Sequence, residues 1–332
     1  MRILLASSER FAGCLIDSLV RAGHQVVGVV SPARGIYERQ FAGPRFWLYD
    51  LRGWDILKCC QRRDIEFRVS RYLEDGAIHA FIKSERADML ILFGWPTMVK
   101  PETLALFSRG SINIHPSLLP KLRGADPLFC LVDRNLDGFG LSFHKPVEEL
   151  DAGPLYLQIP LLRSDLDSYD DLYFKILEGI FRFLPNALEV LLKHPQGSPQ
   201  KGQPTQVSPF RKSMCYLDLD MNLEEVMRRM RACFSHHPMI TACGSHLLLF
   251  STCRVLHSKR PRFDTPNSIQ RVGIFGLEVT LAGRYVRLGG MHFLGKPRSL
   301  TPLLLWLNIR PGSCLEPLKT VTHMAKAYDL SS

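Results

Sequence analysis

Apolar and polar positions follow two rhythms along the first half of the chain. Arg2 to Ala6 is a short, almost unbroken apolar run that reads as a strand. Phe11, Leu15 and Leu19 then recur at helical spacing, which predicts a helix over 11–22 that Gly23 is placed to end. Gln25 to Val30 repeats the strand pattern. Asp88 to Phe93 is apolar after its first residue, as a parallel strand covered on both faces must be. Pro101 stands at a helix start and Gly110 just past its end. Ser111 to Ile114 resumes a strand, and Leu155 to Leu161 supplies another. Strands alternating with helices at this spacing predict an α/β fold with a doubly wound, mostly parallel sheet.

The rhythm breaks at His194–Pro204, a Pro-, Gly- and Gln-rich stretch without a large apolar side chain. It reads as an exposed linker. Beyond it, Asn222 is placed to cap a helix, with Glu225 three residues on to complete a capping box. Leu223, Val226, Met227, Met230 and Phe234 form the apolar face of that helix, and Arg228, Arg229 and Arg231 point elsewhere. Short apolar runs follow at Leu247–Phe250, Val272–Phe275 and Tyr285–Leu288, separated by Gly, Pro and polar clusters. They predict a small antiparallel β-barrel or sandwich. The expected division is a catalytic domain over 1–194, a linker over 195–210, a β domain over 211–316 and a tail over 317–332.

Composition narrows the class. The 332 residues are 46% hydrophobic and 22% charged, enough to bury full cores and unlike a disordered or coiled-coil chain. No stretch approaches the ~20 apolar residues of a membrane-spanning helix. The opening Met1–Ala6 turns polar at Ser7-Ser8-Glu9-Arg10, too soon for the apolar core of a signal peptide, so a cytoplasmic protein with no membrane partner is expected. Nine scattered cysteines without a Cys-x-x-Cys pair agree with a reducing compartment. Charge is segregated: residues 205–332 hold 17 basic and 8 acidic side chains, whereas the preceding 204 hold 25 and 24. A one-sided excess of this kind suits an anionic partner.

The richest chemistry lies in Asn113-Ile114-His115. Strand side chains alternate, so Asn113 and His115 face the same way at the end of a parallel strand, where open α/β sheets bind ligands. An imidazole there can move protons near neutral pH, and an amide can donate to a developing oxyanion. Asp151 supplies a carboxylate before Ala152-Gly153; taken locally it reads as a turn residue. Cys233, His236, His237, Cys243 and His246 contain two Cys-x-x-His spacings, but Cys233 falls on the apolar side of the helix and the histidines in the turn after it, so no metal is expected. No Gly-x-Gly-x-x-Gly follows the first strand, which excludes a dinucleotide-dependent oxidoreductase of that type.

Taken together, Asn113-x-His115, the loop Ser117-Leu118-Leu119-Pro120 with Arg123-Gly124, and Leu150-Asp151-Ala152-Gly153 resemble the signature of the folate-dependent formyltransferases. That family includes enzymes acting on aminoacyl-tRNA and on amino sugars, and some of its members hydrolyse the formyl donor instead. The resemblance covers most of the chain. Residues from Leu217 through Pro238 are similar to the start of the OB-like C-terminal domain of its tRNA-dependent members. It implies 10-formyltetrahydrofolate as donor, a primary amine as acceptor, possible aminoacyl-tRNA binding, and Asn113, His115 and Asp151 as the catalytic trio, with a protonated His115 helping to hold the oxyanion. It implies folate contacts from Phe93, Gly94 and Trp95 and from Ser117, Leu118, Leu119 and Pro120. Arg34 and Arg39, with Arg228, Arg229 and Arg231, are the expected acceptor contacts. Two departures stand out: Ser7-Ser8-Glu9-Arg10 replaces the Gly-Thr-Pro-type turn of the tRNA enzymes, and the aromatic run Phe46-Trp47-Leu48-Tyr49 is foreign to the pattern.

Overall fold

The computed structural model describes residues 1–32, 51–233, 238–257, 260–273, 276–293 and 308–316. The chain divides into two compact units, Met1–Leu131 with Leu136–Pro209, and Val132–Asn135 with Phe210–Ser332. Among the described residues no helix is long and apolar enough to cross a membrane.

In chain order the first unit runs β1 (Arg2–Ser7), α1 (Gly13–Arg21), β2 (Gln25–Ser31), α2 (Ile56–Arg63), β3 (Glu66–Val69), α3 (Gly76–Ser84) and β4 (Met89–Phe93). It continues through α4 (Pro101–Leu104), β5 (Ser111–His115), β6 (Arg123–Gly124), α5 (Pro127–Asp133, whose end is counted with the second unit), β7 (Gly140–His144), β8 (Leu155–Pro160), α6 (Tyr169–Lys193) and β9 (Gln206–Val207). Seven strands form one sheet in the order β3-β2-β1-β4-β5-β7-β8. The pairs from β3 to β5 are parallel, and β7 and β8 add antiparallel at one edge. The fold is thus the doubly wound, mostly parallel α/β sheet that the alternation of strands and helices predicts. Ile3, Leu4, Leu5, Leu90 and Ile91 are fully buried, which is why the central strands read as unbroken apolar runs.

The antiparallel addition positions the chemistry. Because β7 runs against β5, Asn113 stands opposite His144 and His115 opposite Ser142, all at the carboxyl end of β5. An all-parallel continuation would have carried the end of β7 elsewhere.

The segment expected to be a free linker is tied to the first unit. Ser198 exchanges two backbone hydrogen bonds with Leu155 at 2.7 and 2.8 Å, and β9 pairs with β6. These attachments use peptide groups rather than apolar side chains, so hydrophobic patterning cannot reveal them.

The second unit builds its own core. Its helix α7 (Leu223–Ala232) begins at Asn222, whose side chain accepts from the Glu225 amide at 3.0 Å while the Glu225 carboxylate accepts from the Asn222 amide at 2.8 Å. Two antiparallel sheets follow, drawn from β10 (Met239–Cys243), β11 (His246–Phe250), β12 (Thr252–Val255), β13 (Ile269–Gly273), β14 (Gly276–Leu281), β15 (Arg284–Gly289) and β16 (His292–Phe293). Their orders are β10-β11-β16 and β12-β15-β14-β13. Val226, Leu248, Phe250, Ile269, Leu277, Val279, Val286 and Leu288 share one core between them. Phe234 of the expected apolar face lies outside the described residues.

Both capping partners of Asn222 are local to α7. Asn222→Ala should therefore lower the stability of the second unit by about 1 kcal/mol, read as an earlier midpoint of its denaturant transition.

Candidate active site

Several segments converge on one cavity of about 420 Å³ in the first unit. The end of β1 contributes Ser8 and Glu9, and the loop after β4 contributes Phe93 to Val99. The end of β5 contributes Asn113 and His115, and across from them stand His144, Leu150 and Asp151. Tyr169 and Tyr173 of α6 close another side. No lysine or arginine is among these lining residues, whereas Glu9, Asp126 and Asp151 are.

Asp151 is the hub. It is buried, and its φ of +51° places a non-glycine residue in the left-handed region, at a cost of roughly 1–2 kcal/mol. One carboxylate oxygen accepts from the Gly124 amide at 2.9 Å and lies 3.5 Å from His115 Nδ1. The other accepts from Asn113 Nδ2 at 3.2 Å and lies 3.5 Å from His144 Nε2. Burial works to raise the Asp151 pKa, but His144, His115 and the Gly124 N–H together outweigh it and hold the group at about 2. The Gly124 and Asn113 donors act whatever the state of the imidazoles, so Asp151 is a carboxylate at every pH of interest.

His115 is fixed from its far side. Its Nε2 lies 2.9 Å from the Leu122 carbonyl, which can only accept, so Nε2 carries the proton and Nδ1 faces Asp151 as a free base. Leu122 itself adopts φ of +60°, a second left-handed residue recruited to aim one carbonyl. Burial pushes the His115 pKa below its ordinary range; the charge of Asp151 and the Leu122 bond pull upward without overcoming it. Burial thus favours the neutral ring before the reaction, where the resemblance implies a protonated His115.

Asn113 has both amide hydrogens occupied, by Asp151 and by His144 Nε2 at 3.0 Å, while His144 Nδ1 lies 3.1 Å from the Lys145 carbonyl. His144 is thus part of the site, a residue that sequence reasoning missed. The available signal was a histidine closing the apolar strand that begins at Gly140.

The remaining expected residues divide. Phe93, Gly94 and Trp95 line the cavity, and the Trp95 indole nitrogen and Thr97 hydroxyl are buried there without a hydrogen-bond partner. Gly94, at φ of +61°, is required by its neighbour: a Cβ would stand 2.6 Å from the Glu9 carboxylate. Ser117, Leu118, Leu119 and Pro120 are not among the lining residues. Their polar groups are spent on the scaffold: Ser117 Oγ donates to the Lys121 carbonyl at 2.7 Å, Leu119 N–H to Ser142 Oγ at 3.0 Å, and Gln158 to the Leu119 carbonyl at 2.8 Å. The loop brings Leu122 under His115.

The arginines of α7 are also engaged. Arg228 pairs with Glu224 at 2.7 Å, and Arg229 forms a forked pair with Asp133 and donates to the Met214 carbonyl, so these two stabilise the second unit internally. Arg231 is half-buried and likewise engaged. Arg34, Arg39, Phe46–Tyr49, His236 and His237 lie outside the described residues. Among those described, no group of three or more His, Cys, Asp or Glu is arranged to hold a metal ion.

Sequence also gave no warning of Glu9 beyond its departure from the family turn. It accepts from the Tyr173 hydroxyl at 2.7 Å. Burial raises its pKa to about 6, against the pull of Tyr173 and with a further push from Asp126.

Comparison with known proteins identifies the family. Residues 1–188 match the formyl transferase family model. Methionyl-tRNA formyltransferase of Thermotoga maritima is 27% identical over 70% of this chain and 72% of its own, and that of Thermotoga neapolitana is 25% identical over 95% and 96%. The structure of HypX from Aquifex aeolicus in complex with tetrahydrofolic acid superposes with a TM-score of 0.63 at 16% identity, over 92% of this chain and 47% of that one. That likeness reports a shared fold. With the family model matching more than half of its length, the chain belongs to the formyl transferase family, and it is a transferase of one-carbon formyl groups.

Proposed function

We propose that the cavity transfers a formyl group from 10-formyltetrahydrofolate to a primary amine, with aminoacyl-tRNA as the acceptor class. The observation that carries the reaction is the meeting of Asn113, neutral His115 and ionised Asp151 on one wall of a single cavity. The tRNA acceptor is supported by the methionyl-tRNA formyltransferase relative that matches 95% of the chain. For the donor, Trp95 and Thr97 offer buried polar atoms without protein partners, as a heteroaromatic ring with edge donors and acceptors requires.

In this reading the amine nitrogen attacks the formyl carbon, and the carbonyl electrons move onto oxygen. Asn113 donates to that oxygen by releasing the hydrogen that it gives His144. His115 Nδ1 takes the proton lost by the nitrogen and becomes imidazolium only then, facing Asp151. As the oxyanion collapses, the bond from the formyl carbon to the folate nitrogen breaks, and His115 returns the proton to that nitrogen. The products are the formamide and tetrahydrofolate.

Acceptor binding is assigned to the basic second unit, whose antiparallel sheets we read as an OB-like module. With Arg228 and Arg229 committed internally, the phosphate contacts fall to exposed arginines such as Arg254, Arg271 and Arg284. A small cationic amine is the second reading, favoured by Glu9 and by the absence of lysine and arginine from the described lining. The soluble donor and nine cysteines outside any disulfide suit the cytoplasm. The deciding experiment supplies 10-formyltetrahydrofolate with methionyl-tRNA, methioninamide or an amino sugar and follows tetrahydrofolate release. Turnover on the small amines alone would overturn the tRNA acceptor.

Three outcomes are expected. His115→Ala should lower kcat by roughly 10²–10⁴-fold with the fold intact by circular dichroism. Because His115 must be unprotonated, the pH–rate profile should fall on the acid side, below the ordinary histidine range. In Asp151→Asn the charge that raises the His115 pKa is gone, so the acid limb should move to lower pH while the maximum drops; a limb moving upward would contradict this assignment. For tRNA, replacing Arg254, Arg271 and Arg284 by Gln should flatten the salt dependence of binding by about 0.7–0.9 in log–log slope per lost contact.

A further inference from the structure

The linker expected over 195–210 reads as exposed, yet two of its polar side chains, Gln200 and Thr205, hold the turns that carry the reacting groups. Gln200 is the centre of this attachment. Its amide nitrogen donates to the Asp151 carbonyl at 2.7 Å and to the Gly153 carbonyl at 2.9 Å. Its amide oxygen accepts from Arg123 Nη2 at 2.9 Å, and the other arm of that guanidinium holds Glu149 at 2.8 Å. Arg123 immediately precedes Gly124, whose N–H reaches the Asp151 carboxylate. Gln200 thus bridges the main chain of the Asp151 turn to the strand that binds the Asp151 side chain.

A second attachment lies five residues on. Thr205 Oγ1 accepts from the Leu122 N–H at 2.8 Å, and its carbonyl accepts from the Arg123 N–H at 2.9 Å. Leu122 supplies the carbonyl that fixes the His115 tautomer. Both left-handed residues of the site, Leu122 and Asp151, are therefore gripped by the same short stretch of chain. A turn held in a sparsely populated conformation relaxes when its outside partners are removed. Here relaxation would take the Asp151 carboxylate away from His115, where they now stand 3.5 Å apart.

We propose that Gln200 is a positioning residue for formyl transfer: by clamping the Asp151 turn against Arg123 it holds the carboxylate opposite His115 Nδ1, so the stretch after α6 is part of the catalytic apparatus. It touches neither substrate and acts through Asp151. The inference rests on the reading of Asp151 and His115 as the reacting pair.

The test uses the full chain with Gln200→Met, which keeps the side-chain length and removes the amide, and Gln200→Asn, which keeps the amide on a shorter stem. Turnover is followed by tetrahydrofolate release, and the state of His115 by ¹⁵N NMR titration of its ring. Gln200→Met should lower kcat about ten- to a hundredfold, the scale of a misplaced catalytic group, with KM for the folate donor within about twofold. The His115 titration should move to lower pH as the carboxylate recedes, and Gln200→Asn should fall between the two. A purely structural role would leave the His115 titration in place while lowering the denaturation midpoint. That result, or an unchanged kcat in Gln200→Met, overturns the inference. Should Gln200→Met fail to fold, the same titration in Gln200→Asn decides: an unmoved His115 overturns the inference. If Asp151→Asn left turnover intact, the reading of the reacting pair would fail instead, whatever Gln200 does.

Discussion

One buried carboxylate organises the first unit. Asp151 receives the Gly124 amide, the Asn113 side chain and the edges of two imidazoles, and these partners come from three different strands. The parallel strand β5 supplies Asn113 and His115, the antiparallel β7 supplies His144, and the short β6 supplies Gly124. An ionised group out of water needs every lone pair met, so its burial obliges these elements to converge. The left-handed turn at Asp151 and the antiparallel edge of the sheet follow from that requirement.

The electrostatic balance explains how a buried imidazole remains a base beside a negative charge. Burial disfavours the imidazolium more than Asp151 favours it, while His144, His115 and the Gly124 N–H together keep Asp151 charged. The pair is thus a neutral acceptor backed by a fixed anion. It stabilises a proton that arrives from the reaction without holding one beforehand. The cavity has no lysine or arginine in its described wall, whereas the basic excess lies beyond residue 204.

The second unit stands on its own capped helix and a core shared by two antiparallel sheets. Its arginines have divided duties. Arg228 and Arg229 bind acidic partners within the unit, whereas Arg254, Arg271 and Arg284 face solvent. A count of basic residues cannot separate these duties, because an arginine in a forked carboxylate pair and one in water read identically in sequence.

Periodicity by itself determined the architecture: buried parallel strands are apolar throughout, amphipathic helices repeat at their own spacing, and Asn222 with Glu225 marks a helix start by local chemistry. Asn113 and His115 were legible because strand alternation puts them on one face, and Asp151 because its motif resembles a family's. The rest was settled by tertiary structure. Ser117–Pro120 found hydrogen-bond partners within its own loop and on β7 and β8. His144 joined the site through antiparallel pairing with β5, and Glu9 entered the cavity through the room that Gly94 leaves. The neutral state of His115 and the attachment of Gln200 depend on burial and on peptide carbonyls, neither of which any side-chain pattern encodes. Local sequence sets which elements form and which way their side chains point; contacts between distant residues set the protonation, tautomer and alignment on which the chemistry relies.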